Sequence, residues 1–146
     1  MIKIRDIAKN DYGAWHSLWL ANNKGQCNED VTAETWNRLL LDIYPVHGLV
    51  AELHGKVAGL LHYILHPVTG HIQPVCYMQD VFVDEAHRKQ GIGTALIQHL
   101  ASLGQEEEWA RLYWLVEHDN KDAQNLYTHI GLKLNFSLFV HPLGTQ

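Results

Sequence analysis

The sequence predicts an α/β fold in which four helices flank one mixed, mostly antiparallel sheet of six to seven strands. Two observations carry this prediction. First, 146 residues that are 47% hydrophobic suit one domain that buries roughly two thirds of its unfolded surface. Second, apolar residues alternate with a period of two in some segments and follow a helical period in others. We therefore expect residues 1–146 to form a single domain.

The first part of the chain predicts one strand and two helices. Residues 2–7 alternate apolar and polar side chains, as in a half-buried strand. Asn10 or Asp11 is placed to cap a helix that carries two tryptophans on one face. A polar loop, 23–30, follows, and a second helix starts at Thr32 with apolar residues at i, i+3, i+4 and i+7.

The middle of the chain predicts a hairpin, a third strand and a third helix. Residues 48–53 and 57–65 are apolar runs on either side of a glycine-containing turn, which favours an antiparallel hairpin. Residues 75–83 form the next strand. From Gly91 to about Gly104 the apolar residues fall on one helical stripe.

The last part predicts a strand, a helix and a final strand. Residues 111–116 read as a buried strand, and residues 120–131 as a helix that ends in glycine. The segment 134–141, LNFSLFVH, alternates enough to predict the last strand.

Charge and cysteine content exclude several classes of partner. The chain has 16 acidic and 11 basic residues and a net charge of −5, and its lysines and arginines are scattered, so we expect no nucleic acid. No run approaches the ~20 apolar residues that a membrane span requires. Cys27 and Cys76 are too few for a disulfide framework, and the start of the chain lacks an apolar signal core, which favours the cytoplasm.

Eleven histidines raise the question of a metal. His62 and His66 share a face if 57–65 is a strand, because strand side chains repeat every two residues. No acidic or cysteine ligand completes a known spacing, so we expect no metal. Solvent-exposed histidines are the preferred interpretation.

A glycine pair, Gly91 and Gly93, opens the third helix directly after Arg88. Uncovered N–H groups and the helix dipole at such a turn favour an anion. A dinucleotide fold needs a third glycine where Leu96 stands, and a P-loop needs Gly-Lys-Ser/Thr, whereas Thr94 follows Gly93 directly. Neither of these nucleotide motifs is present.

The pattern R-x-x-G-x-G at 88–93 follows the strand MQDVFV, and N-x-x-A-x-x-L-Y-x-x-x-G spans 120–131. Together they resemble the GNAT superfamily of N-acetyltransferases, in particular the branch with diamine, histone and D-amino-acid acetyltransferases. The resemblance implies acetyl-CoA as cosubstrate, and a V-shaped gap between two central strands, 75–83 and 111–116, opened by a bulge. It also implies a homodimer, to which 134–141 contributes a strand or an apolar patch.

The resemblance also assigns a set of residues to acetyl-CoA. Main-chain N–H groups from Gln90 to Thr94 bind the pyrophosphate, strand 75–83 binds the pantetheine arm, and an N–H near Val81 or Phe82 meets the thioester carbonyl. Lys89 stands where many relatives have glycine. The implied cosubstrate-binding residues are Val81, Phe82, Val83, Arg88, Lys89, Gln90, Gly91, Ile92, Gly93, Thr94, Asn120, Ala123 and Tyr127.

The implied catalytic residues are Tyr127 and Asp80. In the resemblance, the Tyr127 phenol protonates the leaving CoA thiolate. Diamine acetyltransferases have a glutamate where this chain has Gln79, and an amide cannot accept a proton. Asp80 is our preferred base, with Glu117, His118 or a chain of waters as alternatives; a structural role for Asp80 is also open.

The acceptor is expected to be a cationic amine, either a small molecule or a lysine-containing peptide. Glu29 and Asp30 lie in the predicted loop between the first two helices, and Gln79 and Tyr113 lie near the gap. The sequence thus predicts direct transfer of acetyl to a primary amine. The alternative is a catalytically weak, CoA-binding regulatory module with the same fold.

Overall fold

A computed structural model describes residues 1–144 of the chain. Residues 1–114 form one compact unit, and the residues from Leu115 onward belong to a second one. We describe each unit by itself. The assignment of residues 1–146 to a single domain stays a prediction.

The first unit is built on one five-stranded sheet. Its elements are β1 (Ile2–Asp6), α1 (Tyr12–Asn22), α2 (Glu29–Leu40), β2 (Val46–Leu53), β3 (Lys56–His66), β4 (Val75–Val83), α3 (Ile92–Glu106) and β5 (Arg111–Tyr113), with short 3₁₀ turns at Lys9–Asp11 and Glu85–His87. The strands lie in the order β1-β2-β3-β4-β5. All neighbours are antiparallel except β4 and β5, which are parallel, so the sheet is mixed and mostly antiparallel, as predicted.

The predicted number of six to seven strands is wrong. Residues 134–141 form no strand in the described part of the chain, and β5 ends at Tyr113 instead of residue 116. Phe136 and Phe139 are 82% and 90% exposed. Alternating residues form a strand only where a neighbouring edge pairs with them, and within residues 1–144 this segment has no such edge.

The second helix starts earlier than predicted. The Asn28 side chain caps α2 by accepting hydrogen bonds from the N–H groups of Asp30 at 2.8 Å and Val31 at 3.1 Å. Glu29 and Asp30 therefore lie in the first helical turn and not in a loop. Thr32 does not cap the helix; it is buried, and its hydroxyl accepts a hydrogen bond from the indole N–H of Trp19 at 3.0 Å.

Asp11 stabilises the start of α1 differently from the predicted cap. Its carboxylate makes no capping hydrogen bond to α1. It accepts two hydrogen bonds from the Arg5 guanidinium, at 2.7 and 2.8 Å, and one from the N–H of Ala8 at 2.8 Å. The Arg5 guanidinium also binds Glu52, and the hydrogen bonds to Arg5 are the main reason why the pKa of Asp11 lies below its ordinary value.

Helices cover both faces of the sheet. On one face, α1 and α2 enclose a cluster of Trp15, Leu18, Leu39 and Leu60. Gly59 faces the other side, where a Cβ added to it would lie only 3.0 Å from Cγ2 of Ile92 in α3. The missing side chain thus lets α3 pack directly against β3.

Strand β4 contains a bulge at Gln79. His62 of β3 pairs with Asp80, whereas the next residue of β3, Tyr63, pairs with Met78. Gln79 is therefore one residue too many for the ladder, which bends the strand locally. Strict alternation from Met78 would put Asp80 on the same face as Met78, but the extra residue directs Asp80 to the face of His62.

The second unit contains one helix within residues 115–144, α4 (Lys121–Thr128). Asn120 is its N-cap, and the side-chain oxygen of Asn120 accepts a hydrogen bond from the N–H of Ala123 at 3.2 Å. The apolar side chains from Leu132 to Leu143 are largely exposed.

Candidate active site

The bulge in β4 is the end of a hydrogen-bonded chain of three side chains. The Trp15 indole N–H donates to Nε2 of His62 at 3.0 Å, and Nδ1 of His62 lies 3.0 Å from Oδ2 of Asp80. Trp15 and His62 are 0% and 3% exposed, whereas 24% of the Asp80 side chain is accessible. Asp80 is thus held from the core and reaches the surface.

Within residues 1–144, β4 has no strand partner beyond Tyr77 on the side away from β3, and we call this its open edge. Pairing with β5 stops after Tyr77 and Tyr113. The N–H of Asp84 donates to Ala58 of β3 at 2.8 Å. Because the direction of main-chain groups alternates along a strand, Phe82 also faces β3, and Val81 and Val83 face the open edge. Of the two predicted oxyanion donors, Val81 is the one that points to this edge.

The turn before α3 exposes a row of amides. Gly91 has φ +81°, a left-handed conformation that favours glycine, and Lys89 also has a positive φ of 65°. Within residues 1–144, the N–H groups from Gln90 to Thr94 donate to no acceptor. These amides and the start of α3 are arranged as an anion site requires.

The Arg88 side chain contacts two residues of β4. Its Nε donates to the carbonyl of Val83 at 3.2 Å, and the guanidinium lies 5.4 Å from the centre of the Phe82 ring. Arg88 and Phe82 also line a pocket of about 450 Å³ between α1 and the loop after β4. The other lining residues are Ser17, Leu18, Ala21, Asn22, Lys24, Asp84 and Glu85. Charges of both signs in this pocket favour no particular ligand.

Aromatic side chains lie beside Asp80 on the exposed part of the sheet. The rings of Tyr77 and Tyr113 stack with their centres 5.0 Å apart, and the Tyr113 hydroxyl lies 2.9 Å from Nε2 of His66. Burial, with smaller contributions from Tyr113 and Asp80, raises the pKa of Tyr77. Gln79 is exposed at the bulge. Of the four predicted acceptor residues, Gln79 and Tyr113 are thus on this part of the sheet.

Glu29 and Asp30 are separate from that group. Both are exposed in the first turn of α2, where their charges favour the helix dipole. No hydrogen bond or ion pair joins them to Gln79, Asp80 or Tyr113 within the described residues.

Three of the predicted residues of the second unit lie in α4 or at its N-cap. Asn120 caps the helix, Ala123 donates the N–H that Asn120 accepts, and Tyr127 lies two turns further along. Asn120 and Tyr127 therefore share a face of α4. Burial raises the pKa of Tyr127 above its ordinary value, so its phenol stays protonated at neutral pH.

The histidines differ from the expectation of exposed side chains. His62 is buried and hydrogen-bonded. His62 and His66 share a face of β3, as predicted. No group of three or more potential metal ligands occurs within residues 1–144. In the same part of the chain, no helix is long and apolar enough to cross a membrane.

Sequence reasoning missed His62, Trp15 and Tyr77 as members of this site. The signal for His62 was a single polar residue within the apolar run VAGLLHYIL. Its partners are 47 residues away in Trp15 and 18 residues away in Asp80. Such contacts depend on the register of the sheet, which the chain does not display locally.

Comparison with known proteins gives a consistent result. Residues 3–132 match the model of the acetyltransferase (GNAT) family. The chain is 30% identical over 143 residues to D-amino-acid N-acetyltransferase HPA3 of Saccharomyces cerevisiae, covering 94% of this chain and 89% of that protein.

Two solved structures are similar in fold. Ribosomal-protein-alanine N-acetyltransferase from Brucella melitensis biovar Abortus 2308 has a TM-score of 0.82 and 23% identity, over 99% of this chain and 100% of the other. AAC(6')-Iy in complex with the bisubstrate analog CoA-S-monomethyl-acetylneamine has a TM-score of 0.83 and 17% identity, over 99% of each chain.

Proposed function

We propose, from the premise that this chain belongs to the acetyltransferase (GNAT) family, that it transfers acetyl to a primary amine by direct attack. Membership confirms the predicted family, and the chain is an acetyl-CoA-dependent N-acetyltransferase. The alternative of a weakly catalytic regulatory module is not favoured, because a curated relative that spans nearly the whole chain is named an enzyme. The acceptor and the roles of single residues are our proposal.

The observation that carries the proposal is the open edge of β4 beside an accessible carboxylate. Val81 and Val83 face this edge, while Asp80 lies between the edge and the buried His62. We assign the pantetheine arm to the main-chain groups of Val81 and Val83, and the pyrophosphate to the amides from Gln90 to Thr94. These groups fit the cosubstrate because, apart from the Val83 carbonyl, which accepts from Arg88, they make no hydrogen bond within the described residues.

The reaction needs a base. An amine with a pKa of ~10.4 is neutral in only about one part in 10³ at pH 7, a handicap of roughly 4 kcal/mol. We assign Asp80 to accept the proton from the amine, directly or through one water. Gln79 cannot do so, and we assign its exposed amide to hydrogen-bond the acceptor.

The remaining steps transfer the acetyl group, protonate the thiolate and deprotonate the attacking nitrogen. The amine nitrogen attacks the thioester carbon, and the N–H of Val81 stabilises the oxyanion, a contribution of about 3 kcal/mol where one such donor was removed elsewhere. The C–S bond then breaks. Tyr127 donates its phenolic proton to the thiolate, and the second proton of the attacking nitrogen leaves to solvent. Asp80 then releases its proton to solvent and Tyr127 takes one up, which restores both residues.

The acceptor is a cation before it reacts, and the neighbours of Asp80 suit one. The carboxylate offers a counter-charge, and the Tyr77 ring, which stacks on Tyr113, offers a π face, whereas the Arg111 guanidinium already lies 5.2 Å from the centre of the Tyr113 ring. We also propose that the exposed carboxylates of Glu29 and Asp30 attract polycationic acceptors from solvent. Since the yeast relative is named for D-amino acids, D-amino acids belong among the candidates.

The test is release of CoA thiol from acetyl-CoA with a panel of amines. The panel contains polyamines, D- and L-amino acids and a lysine-rich peptide, and a reaction without amine corrects for hydrolysis. We expect turnover with at least one amine, and a loss of about 10²-fold or more in kcat for Asp80→Asn. Turnover unchanged in Asp80→Asn would contradict the assigned base. Binding of CoA without turnover for any amine would support the regulatory module.

We further propose that the enzyme acts as a homodimer in the cytoplasm, without nucleic acid. The exposed apolar segment from Leu132 to Leu143 supports self-association, because monomeric proteins rarely leave such a patch uncovered. Cys76, a buried free thiol in β4, is compatible with a reducing compartment. The net charge of −5 opposes contact with a polyanion.

A further inference from the structure

The hydrogen-bonded chain Trp15–His62–Asp80 connects the core to the proposed base. Trp15 belongs to α1, His62 to β3 and Asp80 to the bulge of β4. Each link is 3.0 Å long. Buried polar groups are hydrogen-bonded in most proteins. This chain also ends on a partly exposed carboxylate, so its hydrogen bonds restrain a group that solvent and substrate can reach.

The position of each proton follows from the donors. An indole N–H can only donate, so Nε2 of His62 must accept from Trp15. A neutral imidazole carries one proton, which therefore resides on Nδ1 and is donated to Oδ2 of Asp80. A second proton on Nε2 would face the indole N–H directly. Trp15 thus selects the tautomer of His62 that can donate to Asp80.

The hydrogen bond from His62 fixes the orientation of the Asp80 carboxylate. Its Oδ2 is occupied by His62, while Oδ1 makes no hydrogen bond within residues 1–144. Because the imidazole is 3% exposed and packs against the rings of both Trp15 and Trp19, it cannot follow a rotating carboxylate. The carboxylate is therefore held in one orientation, with Oδ1 available to a substrate.

We propose that Trp15 and His62 are positioning residues, which orient Asp80 so that Oδ1 accepts the proton of the acceptor amine. This inference rests on the proposed function of Asp80. His62 keeps its Nδ1 proton throughout; the proton that leaves the amine goes to Oδ1 of Asp80. Neither Trp15 nor His62 touches the substrate.

The first test replaces His62. His62→Phe removes both hydrogen bonds, and we expect kcat to fall at least tenfold with little change in the Kd for CoA, since small misplacements of a reacting group are costly. His62→Gln retains an acceptor for Trp15 and a donor for Asp80, and should restore part of the loss. In the Asp80→Asn background, His62→Phe should have little further effect, because the two residues act as one unit.

The second test compares two tryptophans. Trp15→Phe removes the indole donor to His62. Trp19→Phe is the matched control, because the Trp19 indole donates to Thr32 at 3.0 Å in the same cluster and makes no hydrogen bond to His62 or Asp80. We expect a fall in kcat of at least tenfold only for Trp15→Phe, although both variants lower the Tm. Equal effects on kcat would overturn the proposal.

A third measurement needs no variant. Nitrogen-15 NMR of the imidazole of His62 in the wild-type protein should show a protonated Nδ1 and an unprotonated Nε2 at neutral pH. The opposite tautomer, or an imidazolium, would overturn the inference even if the variants fail to fold. If wild type turns over no amine, or Asp80→Asn retains its kcat, the proposed function fails; if only the His62 and Trp15 variants retain kcat, this inference alone fails.

Discussion

At the scale of single residues, the Asp11 carboxylate ties the first strand to the first helix. It is 6% exposed and receives three hydrogen bonds, two of them from Arg5. Hydrogen bonds to charged groups contribute more than neutral ones, and the loss of one partner leaves the other desolvated. Asp11 therefore stabilises the folded protein, and it lies outside the proposed active site.

We expect Asp11→Asn to lower the free energy of unfolding by about 2 kcal/mol at pH 7. Since Arg5 lowers the pKa of Asp11 in the folded protein, this stabilisation is complete above the pKa of the unfolded chain and is lost as pH falls through the lower folded pKa. The difference between wild type and variant in urea unfolding should thus shrink on acidification. Glu34→Gln, which breaks an exposed pair with Arg38, is the control and should change little.

Tyr127 allows a second prediction at this scale. If it is the general acid, Tyr127→Phe should lower kcat by about 10²- to 10⁴-fold and leave the Kd for CoA unchanged. Because burial raises its pKa, loss of the wild-type rate through ionisation of the phenol should occur only at a pH above the ordinary range of tyrosine. Steady-state kinetics and calorimetry measure the two quantities, and Tyr44→Phe serves as the control. A parallel loss of CoA affinity would indicate a binding role instead.

Single residues also mark the limit of sequence reasoning. Asp80 was predicted as the base, but its link to His62 was not, because the period of two from Met78 puts Asp80 on the other face. The extra residue at Gln79 reverses that assignment, and a bulge has no signature in the composition of the strand. The partners of His62 became visible only with the register of β3 and β4.

At the scale of elements, the turn before α3 links backbone conformation to ligand binding. Gly91→Ala puts a side chain on a residue with φ +81°, which costs about 1 kcal/mol of strain. We expect weaker binding of CoA as well, because relief of the strain moves the amides next to it. Isothermal titration with CoA measures the change.

Gly55→Ala is the matched control for that experiment. Gly55 has φ +78° in the turn between β2 and β3, and like Gly91 it has no atom within 4 Å of an added Cβ. Both variants should therefore lose similar stability. If both also lose the same CoA affinity, the turn before α3 has no special role.

The elements were predictable where side chains alternate against a packed neighbour or repeat at helical spacing. Strand β4 was predicted with its observed bounds, and α3 within two residues at its C-terminal end. The predicted start of α2 is too late, because Thr32 is a common N-cap residue type but Asn28 caps the helix. Segment 134–141 has the alternation of a strand but no described edge to pair with, and pairing is a property of the fold, not of the segment.

At the scale of the whole molecule, the exposed apolar side chains near the chain end predict self-association. Phe136 and Phe139 are 82% and 90% exposed, and burying two such rings between copies would stabilise a dimer. We expect sedimentation velocity to show a dimer for wild type and a monomer for Phe136→Ser combined with Phe139→Ser.

Ile43→Ser is the control for the dimer, because Ile43 is an apolar residue with the same exposure, 82%, in the loop after α2. It should leave the sedimentation coefficient unchanged. A wild-type monomer at all concentrations would contradict the proposed homodimer. If the Phe136→Ser and Phe139→Ser double variant loses more thiol-releasing activity than Ile43→Ser, turnover depends on the dimer.

The extra residue at position 79 bends β4 by its presence, whatever side chain it carries. Asp80 would still pair with His62 if position 79 were deleted, because the ladder would then run without interruption. What disappears is the curvature of the strand. We therefore expect position 79 to accept many substitutions in related chains, carboxylate or amide alike, while a shortening by one residue straightens β4 and changes the edge that we propose binds the cosubstrate.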